Sequence, residues 1–256
     1  MNLLPKYKFT FPLLFFASFV YGQKAIFKEI KLRAKTEFFD PKDHYATIFY
    51  PIISTNNPNV SKLINDEIKV QILNADKENP DVLKNLNALR NDGLTDLSYE
   101  VTFNKNYVLS FSIYTQESGG SHLVDNTTYF NFDLKTGKQL SLSDLIVQSK
   151  INSFQRQGSS DKLDSLNKHK KEELNLFLQN EVDSLTYKWV IEEINANCTT
   201  QLDLKDFLLS NTYIEIVDRC QFPYAIRSQE PYYHLRYSFK SVQPILSSEF
   251  WKRLSK

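Results

Sequence analysis

Between Leu97 and Leu134 apolar and polar residues alternate. Leu97, Tyr99, Val101 and Phe103 take every second position against Ser98, Glu100, Thr102 and Asn104. After the Asn104-Lys105-Asn106 turn, Tyr107, Leu109, Phe111 and Ile113 repeat the pattern, and after a Gly119-Gly120 break so do Thr128, Phe130, Phe132 and Leu134. Successive strand side chains point to opposite faces. Three alternating segments joined by turns therefore predict an antiparallel meander with one buried face. Lys135-Thr136-Gly137-Lys138 closes it, and Ser141–Leu145 reads as a short capped helix. Upstream, Ala25–Leu32 predicts a weak strand. His44–Ile53 predicts a second, rich in β-branched and aromatic residues, with Pro51 marking an edge or an exit.

The period then changes. Val60, Leu63, Ile64, Ile68 and Ile72 recur at helical spacing behind the Asn57-Pro58-Asn59 cap, and Pro80 opens a shorter helix through Arg90 that Asn91-Asp92-Gly93 ends. Gly158-Ser159-Ser160 in the polar stretch 150–160 predicts an exposed loop. A long amphipathic helix is expected from about Lys162 to Asn195, with Leu174, Leu178, Val182, Leu185 and Trp189 as its apolar stripe. Strands follow at Tyr213–Val217 and Tyr232–Phe239. In the latter Tyr233, Leu235, Tyr237 and Phe239 share one face, and His234, Arg236 and Ser238 the other. Ser247 caps a last helix carrying Phe250, Trp251 and Leu254. Helices and antiparallel strands segregate along the chain, so the expected class is α+β.

The N-terminus belongs to a different kind of segment. Lys6 and Lys8 precede the apolar run Phe9–Val20, and Val20-Tyr21-Gly22 places small residues at −3 and −1 before Gln23. This is the order of a cleavable secretory signal peptide over residues 1–22. A run of about 12 residues falls short of the roughly 20 that span a bilayer. The expected product is an exported protein, periplasmic or secreted, with residues 23–256 as one α+β domain and no stable membrane insertion after cleavage. It carries 29 Lys and Arg against 30 acidic residues. That balance lacks the basic face a nucleic-acid partner needs. Cys198 and Cys220, the only cysteines, are expected to form one disulfide in an oxidising compartment. Their Cα atoms should then lie roughly 4.4–6.8 Å apart.

From Tyr50 to Ile146 the layout is a recognisable one: Tyr50-Pro51, Ile64-Asn65, Tyr99–Val101, Gly119-Gly120-Ser121-His122, then Tyr129-Phe130-Asn131-Phe132-Asp133-Leu134-Lys135-Thr136-Gly137-Lys138 and Leu140-Ser141-Leu142-Ser143-Asp144-Leu145. It resembles the extracytoplasmic domain of anti-sigma-V factors that sense lysozyme, and the N-terminal domain of some peptidoglycan deacetylases. The resembling part covers about residues 44–147. The part from about 160 to 256, with Cys220–Tyr224 and its aromatic tail, departs from the pattern. The resemblance implies an α+β fold and a cell-envelope setting, with a lysozyme-like protein or a peptidoglycan fragment as partner.

Candidate chemistry is sparse. Gly119, Gly120, Ser121 and His122 with Asp125 form the densest polar cluster. It reads as a glycine turn between strands or as a binding loop that a partner can approach closely. A Ser-His-Asp triad is disfavoured, since triads assemble from distant segments and no G-x-S-x-G elbow is present. His44, His122, His169 and His234 are scattered. The His169/Glu173 pair at i,i+4 reads as a solvated helix face, so no metal site and no cofactor are expected. Most tail aromatics, among them Phe222, Tyr224, Tyr232, Tyr233, Tyr237 and Phe239, are assigned to core packing in preference to a sugar-stacking platform. The expected function is a non-catalytic cell-envelope binding module. Its rivals are a hydrolase with an unrecognised site and a periplasmic assembly partner.

Overall fold

The computed structural model describes residues 23–35, 47–76, 81–118, 123–179, 181–220, 222–223 and 230–255. Strands β1 (Ile26–Arg33), β2 (Thr47–Ser54), β3 (Leu94–Lys105), β4 (Val108–Ser118) and β5 (Leu123–Asp133) form a sheet in that spatial order. The expected meander is its β3-β4-β5 half. β2 joins it parallel to β3, and β1 pairs antiparallel with β2 along its full length, so the sheet is mixed. Asn106 and Tyr107, both at positive φ, make a two-residue turn between β3 and β4. Gly137 (φ +77) turns the chain after β5, where a Cβ would press on Leu63 at 3.1 Å.

Helices α1 (Pro58–Leu73) and α2 (Val82–Asp92) cover one face of this sheet. Asn57 caps α1, Asp81 caps α2, and Gly93 closes α2. Val60, Ile64, Ile68 and Ile72 of α1 pack on Ile48, Tyr50, Leu97, Leu109, Phe111, Ile113, Phe130 and Phe132. Asn65 stitches α1 to β2, accepting from the Ile53 N–H at 2.8 Å and donating to its carbonyl at 2.7 Å.

A bulge between Val101 and Phe103 corrects the expected β3 pattern. Leu97, Tyr99 and Val101 share the helix-facing side, with Val101 38% exposed, whereas Phe103 is turned to the opposite face and packs in a second core. That core is built by the three-stranded antiparallel sheet β6 (Phe207–Leu209), β7 (Tyr213–Arg219) and β8 (Tyr232–Ser238) with the short helices α3 (Leu142–Leu145), α6 (Phe239–Val242) and α7 (Ser248–Leu254). The expected caps at Ser141 and Ser247 form. Asp144 accepts from the Ser141 N–H at 2.8 Å, and Ser247 Oγ accepts from the Phe250 N–H at 3.3 Å. The class is α+β.

The helical region departs most from expectation. Residues 151–160 are not a loop but the first turns of α4 (Ile151–Leu178), and the expected single helix ends there; α5 (Ser184–Asn197) is separate. Asp183 starts α5 by accepting from the Leu185 and Thr186 N–H groups at 2.9 and 3.0 Å, an N-cap the apolar pattern hides. Leu178, Leu185 and Trp189 of the expected stripe are 66%, 76% and 56% exposed. Leu166, Val190 and Ile194 are buried instead, with Cys220, Phe222 and Tyr233. Cys198 and Cys220 form the expected disulfide, Cα atoms 4.6 Å apart, tying the end of α5 to the end of β7. No described helix is long and apolar enough to cross a membrane. Residues 1–22 lie outside the described residues.

Candidate functional site

The face of the larger sheet away from α1 and α2 is polar, and its side chains stand in rows fixed by register. Asp96, Gln116 and Asp125 form one row across β3, β4 and β5. Ser98, Tyr114 and Thr127 form the next, then Glu100, Ser112 and Tyr129, and finally Ser110 and Asn131 on β4 and β5. The last row is buried beneath the smaller sheet. Asn131 Nδ2 donates to the Phe207 carbonyl at 2.7 Å, and Ser110 Oγ accepts from the Leu209 N–H at 2.9 Å. The backbone of β6 thereby pairs the Asn131 amide nitrogen and the Ser110 hydroxyl, while Asn131 Oδ1 stays buried without a partner among the described residues.

The smaller sheet turns its own polar face toward these rows. Leu208, Glu215 and Arg236 align across β6, β7 and β8, with Tyr213 and His234 beside them. Together the two faces line an open cleft of about 450 Å³, within the roughly 300–1,000 Å³ of small-ligand sites. Glu215 is buried and already engaged. Arg236 Nε lies 3.2 Å from Oε2, Arg236 Nη2 donates to Oε1 at 3.3 Å, and His234 Nδ1 lies 2.7 Å from Oε1. A carboxylate only accepts, so Nδ1 is the nitrogen that carries the proton. The Arg236 guanidinium also sits 5.3 Å over the Tyr213 ring.

Burial first, then the negative charges of Asp206 and Glu215 among others, push the Tyr129 hydroxyl up to about 12. Tyr114 is likewise pushed up to about 12, by burial and by donating to Asp125 Oδ1 at 2.7 Å. Both phenols stay protonated at neutral pH; the Tyr114 donor is spent on Asp125, whereas the Tyr129 hydroxyl has no side-chain hydrogen-bond partner among the described residues. Burial also raises the Asp96 carboxyl above its ordinary value; the Leu97 N–H opposes this and the charge of Asp125 adds to it.

Of the cluster expected from sequence, Gly119, Gly120, Ser121 and His122 lie outside the described residues. Asp125 is described. It accepts from Tyr114 and from Gln116 Nε2 at 3.0 Å, one row along the sheet from the cleft wall. His169 lies 3.7 Å from Glu173 on one face of α4. Among the described residues no group of three or more His, Cys, Asp or Glu could hold a metal ion. The cleft itself was missed. Its signal was present in the polar alternates of β3–β5 and the His234/Arg236 face of β8, but nothing along the chain says that two such faces meet.

No family model matches the chain, and no curated protein sequence resembles it. Solved structures do. A member of the DUF3298 family from Bacteroides fragilis NCTC 9343 superposes with a TM-score of 0.53 at 13% identity, covering 92% of this chain and 97% of that one. A DUF3298 family protein from Pseudomonas aeruginosa PAO1 covers 89% and 95% respectively, at 13% identity and a TM-score of 0.48. At this identity the first likeness is one of fold.

Proposed function

We propose that the protein is an exported cell-envelope binding module that holds its ligand in the cleft between its two sheets. The observation that carries this reading is the convergence of two polar sheet faces on one concave site in which Arg236 and His234 both bond Glu215 and hold it in place. A preorganised, mutually paired set suits recognition, because few side chains must be ordered when the ligand arrives. Hydrolysis by nucleophilic catalysis asks for a hydroxyl or thiol bonded to a base. Among the described residues no Ser, Thr or Cys side chain is hydrogen-bonded to a histidine. The export half of the proposal rests on the Lys6/Lys8 and Phe9–Val20 segment. Residues just after the proposed cleavage point are held by the fold: the Gln23 carbonyl accepts from the Tyr107 N–H at 3.2 Å, and Ala25 bonds Asn104 through both its backbone groups.

Within this reading the ligand is a cell-wall component or, following the resemblance of residues 44–147 to lysozyme-sensing domains, a lysozyme-like protein. Calorimetric titration with solubilised peptidoglycan fragments and with lysozyme tests it. The expected result is binding by one of them that Arg236→Ala weakens, together with N-terminal sequencing that begins at or near Gln23. Turnover of peptidoglycan or generic esters by the pure protein would replace the binding module with an enzyme.

A further inference from the structure

The hydrogen-bonding capacity of the polar sheet face is spent unevenly. At one end Asp125 is taken up by Tyr114 and Gln116, and Gln116 also accepts from Thr95 Oγ1 at 3.2 Å. At the other end Ser110 and Asn131 are bonded to β6. Between them, Ser98, Glu100, Ser112, Thr127 and Tyr129 make no side-chain hydrogen bond or ion pair among the described residues, and all five line the cleft. The gap between these two bonded ends coincides with the concavity.

Resting on the reading of this cleft as the ligand site, we propose that its occupant is a neutral, hydroxyl-rich saccharide segment, bonded by these five side chains on one wall and by the outer donors of Arg236 on the other. The lining selects for this class. A phosphorylated ligand needs cations to spare. The cleft's one permanent cation, Arg236, is committed to Glu215 through two nitrogens, and Glu100 adds an uncompensated negative charge. An apolar ligand would meet a single aliphatic side chain, Leu208. A polyol matches what remains. The serine and threonine hydroxyls donate and accept, Glu100 accepts, and the Tyr129 and Tyr213 phenols give ring surface as well as a hydroxyl. Sugar hydroxyls would replace the waters that otherwise satisfy these groups, so the exchange is near-balanced for each bond and depends on all five being placed together.

The test is calorimetric titration of the processed protein with three probes: a neutral β-1,4-linked N-acetylglucosamine tetramer, an anionic muropeptide and lysozyme. Each is repeated on Glu100→Met combined with Tyr129→Phe, which removes hydrogen-bonding groups while nearly keeping volume, and on Arg236→Lys. Folding is checked by the near-ultraviolet circular dichroism of each variant. The expected result is saturable binding of the neutral tetramer, weakened roughly tenfold or more in the double variant. Binding of the muropeptide or of lysozyme alone, lost with Arg236→Lys, would overturn the saccharide class and leave the cleft standing as the ligand site. No binding of any probe, or binding that neither variant changes, would overturn both.

Discussion

Gly158 sits inside α4, where glycine ordinarily costs helix stability. Its reason is distance: a Cβ there would lie 2.3 Å from Leu202 Cδ2, and Leu202 is fully buried. The neighbouring Ser159 continues the contact, since its Oγ accepts from the Leu202 N–H at 3.0 Å while donating to the Gln155 carbonyl at 2.7 Å. Gly158→Ala should therefore destabilise the protein by about 1–3 kcal/mol in chemical denaturation, despite the helix-propensity gain of about 1 kcal/mol. One turn along, Lys162 is 2% exposed and its Nζ lies 2.7 Å from Asp218 Oδ2, beneath the Tyr233 ring. Lys162→Ala strands a buried carboxylate and should cost about 3–5 kcal/mol. Lys162→Met with Asp218→Asn keeps an acceptor for the Asp203 N–H, which Asp218 Oδ2 now serves at 3.1 Å. The double variant should recover more than half of that loss, measured by the same unfolding curves.

Elements whose patterns answer to local chemistry were legible in the sequence. The β3-β4-β5 meander, the Asn57 start of α1 and the Ser141 and Ser247 caps follow from alternation and capping side chains alone. Elements decided by distant partners were not. The Gly-Ser-Ser run reads as a loop until Leu202 is packed against it, and the Val101–Phe103 bulge appears only because β3 must serve two cores. The long apolar stripe failed for a third reason: Asp183 breaks the helix in its middle. The capping of α3 has a pH consequence. Burial acts to raise the Asp144 carboxyl, but the Lys138 ammonium at 2.7 Å and the Ser141 N–H outweigh it and hold the carboxyl below its ordinary value. A depressed folded pKa contributes stability above the unfolded value, and that contribution fades as pH falls through the folded one. Stability should thus fall below about pH 4, and Asp144→Asn should flatten that part of the acid limb in thermal melts recorded against pH.

At the scale of the whole molecule, the two sheets are joined where a polar row of one meets the backbone of the other, and the cleft is the open continuation of that seam. The candidate site was accordingly the least legible part of the sequence: Ser98, Glu100 and Tyr129 look like any solvated alternates until Glu215 and Arg236 face them. The seam also supplies its own clock. The Leu209 amide is sequestered by a side chain of the opposite sheet, Ser110 Oγ, whereas the Ser210 amide is held within its own sheet by the Tyr213 carbonyl at 2.9 Å. Their deuterium uptake should therefore report different openings, the first a parting of the sheets and the second a fraying of the β6-β7 turn. Ser110→Ala should hasten exchange at Leu209 while leaving Ser210 unchanged. A molecule lodged in the cleft should slow Leu209 even if it never touches it, making that one proton a gauge of occupancy read from behind the site.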